Sequence, residues 1–159
     1  MKIRVIGVGK IKEKYIEAAI KEYSKRLSKY CNLEIIEVKD EKAPENLSKK
    51  EMEMIKNNEG NRVLMKIPVN SYIIALEIDA EPLSSEGLSG KIEGLMIDGV
   101  NDITFIIGGS LGLSKEVIDK SDFKLSFSKM TFPHQLMRLI LLEQVYRGFR
   151  IIRGEPYHK

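Results

Sequence analysis

Cysteine is all but missing from this chain of 159 residues: Cys31 stands alone, so no internal disulfide framework is possible. Histidine is nearly as scarce. The two present, His134 and His158, cannot build a Cys/His zinc site with a single thiol, and no metal centre is expected. Long apolar runs are lacking too. Met1 to Lys10 carries only Val5-Ile6-Gly7-Val8, too short for a signal core or a membrane span, so a cytoplasmic protein is expected. No repeat, low-complexity tract or linker breaks the chain, and residues 1–159 read as one domain. The lone Cys31 reads as a buried bystander.

What is present is globular in character, with 43% hydrophobic and 31% charged residues. A chain of this size buries about 70% of its unfolded surface and needs no covalent staple. The net charge of +3 is unevenly placed: residues 1–122 hold 19 basic and 21 acidic side chains, and residues 123–159 hold 7 and 2. A basic carboxyl-terminal end on a slightly acidic body suits a polyanionic partner, although an ordinary basic helix face would look the same.

Apolar patterning alternates strand with helix. Lys2 to Val8 is β-branched and reads as a buried strand. Ile16, Ile20, Tyr23, Leu27 and Tyr30 recur at three and four residues, which predicts an amphipathic helix over 12–30. Leu33 to Val38 is a second strand. Ser48 with Glu51 forms a capping box for a second helix through Met52 and Ile55, which Gly60 is expected to weaken or end. Tyr72 to Ile78 is a third strand, and Ser84 or Ser85 caps a helix carrying Leu88, Ile92, Leu95 and Met96 that stops near Gly99. Ile103 to Ile107 is the fourth strand, Ser114 opens a short helix, Phe123 to Phe127 is the fifth strand, and Pro133 starts the last helix. This order predicts an α/β fold with a mostly parallel sheet flanked by helices on both faces. In the last helix Leu136, Met137, Leu139, Ile140, Leu141 and Leu142 point all round, so it must be covered on more than one side. The sheet and the same helix of a second subunit would do this, which predicts a homodimer.

Several stretches carry candidate chemistry. Gly7-Val8-Gly9-Lys10 lacks the third glycine of a dinucleotide fingerprint and the Ser or Thr of a phosphate loop, and reads as a tight turn. Gly108-Gly109-Ser110-Leu111-Gly112 matches G-x-S-x-G between a strand and a helix, the setting of a serine nucleophile. Asp119 or Asp122 and His134 or His158 follow in hydrolase order, so a hydrolase using Ser110 stays open. Against it stand the short chain, the lack of an oxyanion segment, and a doubled glycine better suited to a loop opened for a ligand. Ser126 to Phe132 mixes hydroxyls and backbone amides with Phe127, Met130 and Phe132, as a flat heteroaromatic ligand requires, though both phenylalanines could equally be core. Arg138, Arg147, Arg150 and Arg153, followed by Tyr157, His158 and Lys159, can grip phosphates and stack on an unpaired base. Glu143 and Arg147 are spaced to pair on the helix surface.

Together Phe105-Ile-Ile-Gly-Gly-Ser110, Leu125-Ser-Phe-Ser-Lys-Met-Thr-Phe-Pro-His-Gln135 and Arg153-Gly-Glu-Pro-Tyr-His158 resemble a small bacterial group of the SPOUT methyltransferases, and the likeness runs essentially the whole length of the chain. The resemblance implies a homodimer with its carboxyl-terminal segment threaded into a trefoil knot, which periodicity could never reveal. It implies S-adenosylmethionine as cofactor, held at Leu76, Gly108, Phe127, Ser128, Lys129, Met130, Thr131 and Phe132. It also implies methylation at N3 of pseudouridine 1915 in 23S rRNA of the large ribosomal subunit.

Such a reaction needs no metal and no covalent nucleophile, only alignment and loss of the N3 proton. On residue type and position, His158 is expected to assist deprotonation and Tyr157 to stack on the base. Arg138, Arg147, Arg153 and Lys159 are expected to meet phosphates or the base anion. His134, at a helix start beside the cofactor loop, is expected to be structural. A non-catalytic RNA-binding protein with a relic pocket is the remaining alternative.

Overall fold

A computed structural model describes residues 1–157. Ten elements follow one another as β1 (Lys2–Val8), α1 (Lys14–Leu27), β2 (Asn32–Val38), α2 (Lys49–Leu64), β3 (Tyr72–Pro82), α3 (Ser85–Ile97), β4 (Asp102–Ile107), α4 (Lys115–Lys120), β5 (Phe123–Ser126) and α5 (His134–Ile152). The five strands form one sheet in the order β2-β1-β4-β3-β5, with every pairing parallel.

Alternation along the strands divides the apolar side chains between two layers. Ile3 and Val5 of β1, with Ile103, Phe105 and Ile107 of β4, meet Leu27, Leu88, Ile92, Leu141, Leu142, Val145 and Phe149 from α1, α3 and α5. Ile6, Val8, Ile73, Ala75 and Ile106 face the other way, onto Val63 of α2 and Val117 of α4. The sheet is therefore covered on both faces, as its near-continuous apolar strands require.

Local signals act largely as expected. Ser48 and Glu51 make both halves of a capping box, and Ser84 and Ser114 each accept an amide of the helix they open. Gly60 is different: α2 runs through it to Leu64. A Cβ there would stand 2.2 Å from Ser114 Oγ, so glycine serves the contact between α2 and α4 rather than a helix end. Pro133 is the residue before α5, not its first turn. Helix α1 is shorter than its apolar periodicity, because Tyr30 packs on the core from the turn that follows.

Helix α5 lies between α1 and α3 over the sheet. Its all-round apolar character is thus met in good part within one chain: Leu141, Leu142, Val145 and Phe149 are buried, while Leu136, Met137, Leu139 and Ile140 remain half-exposed. Cys31 is buried, its thiol pushed up to about 11 by desolvation, which leaves it inert.

Candidate functional site

Register alone brings the predicted cofactor residues together. Leu76 pairs with Leu125 at the end of regular β3–β5 pairing, and Ala75 pairs with Ile106 one residue before β4 ends. Leu76, Gly108 and Phe127 thus sit at or just beyond the carboxyl ends of three neighbouring parallel strands, where open α/β sheets hold ligands. Beyond Leu76 the register jumps, so that Leu125 also pairs with Glu81 and residues 77–80 bulge out. Ser126 Oγ fastens this bulge by donating to Ile78 O at 2.8 Å.

The 127–133 segment has a fixed course. It leaves edge strand β5, yet α5 begins at the far end of β1, where Gln135 Oε1 accepts from Lys12 N and Arg138 reaches the Val8 and Gly9 carbonyls. Crossing β3 and β4 to reach β1 spans about 14 Å, well within reach of seven residues. The segment therefore passes over the strand ends that carry Leu76 and Gly108. Phe127, Ser128 and Phe132 are half-buried along it, and Lys129, Met130 and Thr131 are exposed. Ser128 Oγ accepts from Met130 N at 3.0 Å, holding a tight turn in the segment.

The loop after β4 doubles back on itself. Gly109 and Gly112 form an isolated bridge, Gly112 N donates to Gly109 O at 3.1 Å, and Gly112 takes φ +85°. Beside the β5 end lies a cleft of about 300 Å³ lined by Leu83, Ser84, Ser85, Leu125, Phe127 and Ile140 among others.

Ser110 does not form a nucleophile elbow. It is exposed in the bridged turn, and among the described residues no non-glycine residue has positive φ, so the strained turn that presents such a serine is absent. The hydrolase reading falls on this geometry. Gly7-Val8-Gly9-Lys10 is not a tight turn throughout: Gly7 and Val8 still belong to β1, paired with Glu37 and Val38, and the chain bends only at Gly9, with φ +87°.

Arg138 is the clearest departure from expectation. It is 1% exposed, its guanidinium donating to Val8 O (2.8 Å), Gly9 O (2.6 Å) and Glu37 Oε1 (3.1 Å). It lies flat on Gly7, where a Cβ would stand 2.4 Å from Nε. An arginine so enclosed cannot meet a phosphate. It is the clamp that docks α5 on the end of β1. His134 beside it is half-buried, and burial together with the Arg138 charge holds its imidazole below the ordinary pKa.

The basic end forms a lattice of arginines and aromatic rings. Tyr157 packs edge-on against Tyr146 (5.0 Å between centroids), lies under Arg147 (4.7 Å) and donates to Glu143 Oε1 at 3.1 Å. Burial and the neighbouring Tyr23 and Glu143 raise its pKa, so the hydroxyl keeps its proton. Arg147 pairs with Glu143 at 2.7 Å as its spacing suggests, and Arg153 is exposed over the Tyr30 ring at 4.6 Å. His158 and Lys159 lie outside the described residues.

Two acids beneath the glycine loop went unread in the sequence. Glu59 is 4% exposed, and its Oε2 would touch a Cβ on Gly109 at 2.9 Å. Glu77, on the α2 face of the bulge, has its carboxyl held above the ordinary carboxylate range by burial. The signal for Glu59 was there: Ile55, Glu59 and Val63 fall on one helical stripe, with a carboxylate where an apolar residue belongs. Among the described residues no group of acids, histidines or cysteines could hold a metal ion, and no helix is long and apolar enough to cross a membrane.

Comparison with known proteins agrees with this geometry. The family model described as "Predicted SPOUT methyltransferase" matches residues 1–158. The chain is 63% identical to the ribosomal RNA large subunit methyltransferase H of Clostridioides difficile (strain 630), over all of both chains. It is 60% identical to the protein of the same name from Clostridium botulinum (strain Langeland), again over all of both. Among solved structures, a probable methylase family protein from Haemophilus influenzae Rd KW20 shares the fold at TM-score 0.55 and 10% identity, covering 99% of this chain and 70% of that one.

Proposed function

The chain belongs to the SPOUT methyltransferase family, and we propose that it methylates N3 of pseudouridine 1915 in 23S rRNA with S-adenosylmethionine as donor. The observation that carries this is the convergence of Leu76, Gly108 and the 127–132 segment at the carboxyl ends of three adjacent strands. Full-length relatives named as large-subunit rRNA methyltransferases supply the substrate class. A basic carboxyl-terminal end suits an RNA partner.

The cofactor supplies an activated methyl group. The protein's share is alignment and electrostatics. Backbone groups at Leu76, Gly108 and Phe127 to Phe132 would hold the donor, with Phe127 offering its ring as a wall and Ser128 bracing the turn. Tyr157 retains its proton and so serves to orient or stack on the base, not to take a proton. His158 is the proposed proton acceptor. Arg147, Arg153 and Lys159 are the proposed contacts to phosphate or base anion. Exposed Arg153 can exchange its stacking on Tyr30 for stacking on a base.

A homodimer belongs to this reading. Its support is the row of half-exposed apolar residues Leu136, Leu139 and Ile140 on α5. Such a dimer would let one tail cover the other subunit's cofactor loop. The trefoil knot is likewise proposed, supported by the course of 127–133 over the strand ends. Cytoplasmic location follows from an rRNA substrate.

The test is methyl transfer to large subunits or rRNA lacking this one modification, located by mass spectrometry, beside calorimetry with S-adenosylmethionine. Transfer to that nucleotide is expected. A folded protein that ignores the donor at millimolar concentration would overturn the reading in favour of a non-catalytic RNA binder.

A further inference from the structure

Helix α5 carries its two ends to opposite ends of the sheet. It starts where β1 stops, with Arg138 on the Val8 and Gly9 carbonyls. Its last turns stack Phe149 on Tyr30 (5.7 Å between centroids), two residues before β2 opens. Nineteen residues of helix put these points about 28 Å apart. Arg150 and Arg153 therefore stand toward the amino ends of the strands, away from their own chain's cofactor segment. With Arg138 buried as well, positive charge at the cofactor end has to come from elsewhere in the chain.

What the carboxyl ends carry is lysine. Val8 pairs with Val38, and Gly9 N donates to Val38 O at 2.8 Å, so Lys10 and Lys39 leave two adjacent strands side by side. Lys12 follows in the same turn, and Lys129 sits on the segment that crosses the strand ends. All four are exposed, and among the described residues none forms an ion pair with an acid. The acids near them are largely engaged. Glu37 accepts from Arg138 and from Ile11 N, and Glu41 pairs with Arg62, which leaves Glu13 and Asp40 as exposed carboxylates beside these lysines.

The turn that bears Lys10 and Lys12 is tied down on two sides. Ile11 N donates to Glu37 Oε1 at 3.0 Å, and Lys12 N donates to Gln135 Oε1 at 2.8 Å. The second bond joins it to the first turn of α5, directly after the segment proposed to hold the methyl donor. Exposed ammonium groups on a fixed backbone, next to that segment, suit the phosphates that flank a nucleotide brought to the donor.

We propose that Lys10, Lys12 and Lys39 form an rRNA-backbone contact at the carboxyl ends of β1 and β2, holding the phosphates beside the target nucleotide. This rests on the rRNA methyltransferase reading above. Lysine is a compact charge on a flexible stem, so the contact positions the RNA and reads no base.

The test uses the full-length protein and large ribosomal subunits lacking the one modification, at fixed magnesium and rising salt. Co-sedimentation gives affinity, and methyl transfer gives KM and kcat. Lys10→Gln/Lys12→Gln is expected to keep the wild-type thermal midpoint and the calorimetric affinity for S-adenosylmethionine. Affinity for the subunits should fall about tenfold and KM should rise to match, with kcat largely kept. The slope of log affinity against log salt should become shallower by about 1 to 2. Lys39→Gln should do about half as much, and Lys10→Arg/Lys12→Arg should restore binding. Lys66→Gln/Lys120→Gln, which removes two exposed charges beyond the far ends of α2 and α4, should change nothing. A benzophenone on Lys12→Cys should cross-link to rRNA, since the one native thiol is buried.

Unchanged KM and salt slope in Lys10→Gln/Lys12→Gln, with wild type still methylating, overturn the contact and leave the reaction standing. An equal loss in Lys66→Gln/Lys120→Gln makes the effect one of net charge and overturns the contact too, as does cross-linking to a ribosomal protein instead of rRNA. Subunit binding that needs Lys10 and Lys12 without methyl transfer upholds the contact and overturns only the reaction. Wild type that binds no subunits overturns both.

Discussion

Arg138 shows how much one side chain can hold. Its guanidinium satisfies two carbonyls at the end of β1 and one carboxylate near the end of β2, from a helix that begins over a hundred residues after β1. Removing it leaves Val8 O, Gly9 O and Glu37 with lost partners in a buried joint. Arg138→Ala is expected to cost about 3–5 kcal/mol in urea unfolding, and Arg138→Lys most of that, because an ammonium cannot span the fork. A loss below about 1 kcal/mol in Arg138→Ala would contradict the clamp. Glu59 makes a prediction of opposite sense. Its pKa is raised on folding from 4.5 to about 7, so the folded state binds the proton more tightly in that interval. The Glu59 contribution is therefore most favourable at low pH and is lost as pH rises from 4.5 through 7. Glu59→Gln should match wild type near pH 5 and exceed it by about 1–3 kcal/mol at pH 8, read from denaturation midpoints at both pH values.

At the level of elements, α2 gives two tests that separate local from tertiary causes. Ser48→Ala removes the hydroxyl that accepts the Glu51 amide, while the backbone amide of residue 48 can still donate to Glu51, and should lower stability by about 1 kcal/mol. Gly60→Ala ought to stabilise a helix on propensity alone, by about 1 kcal/mol. The opposite is expected here, since the new Cβ would lie 2.2 Å from the hydroxyl that caps α4. A net loss in thermal unfolding supports the contact, and a gain would refute it. The strand and helix order was legible because periodicity and caps are local properties. Gly60 and Pro133 were misread for the same reason: each answers to a neighbour distant in sequence or to the exit of a crossing segment.

For the molecule as a whole, association is the open prediction. Leu139→Glu on the half-exposed side of α5 should convert a dimer to monomer in sedimentation velocity while leaving the monomer folded. If the tail acts across subunits, methyl transfer falls with it by more than tenfold while cofactor binding is largely kept. A wild-type protein that sediments as a monomer at micromolar concentration would end that idea.

By itself the sequence determined the alternating order of strands and helices, the covered parallel sheet, the caps and the family, because these follow from residue types at short spacings. It also marked Leu76, Gly108 and 127–132 as one set through their likeness to a family. Only the tertiary structure decided that Arg138 is an interior clamp, that Ser110 is an ordinary exposed turn residue, and that Glu59 and Glu77 lie beneath the glycine loop. The physical reason is burial. Whether an arginine meets solvent or a carbonyl, and whether a carboxylate is solvated or wedged, depends on chain segments that come together only when strand order places β4 between β1 and β3.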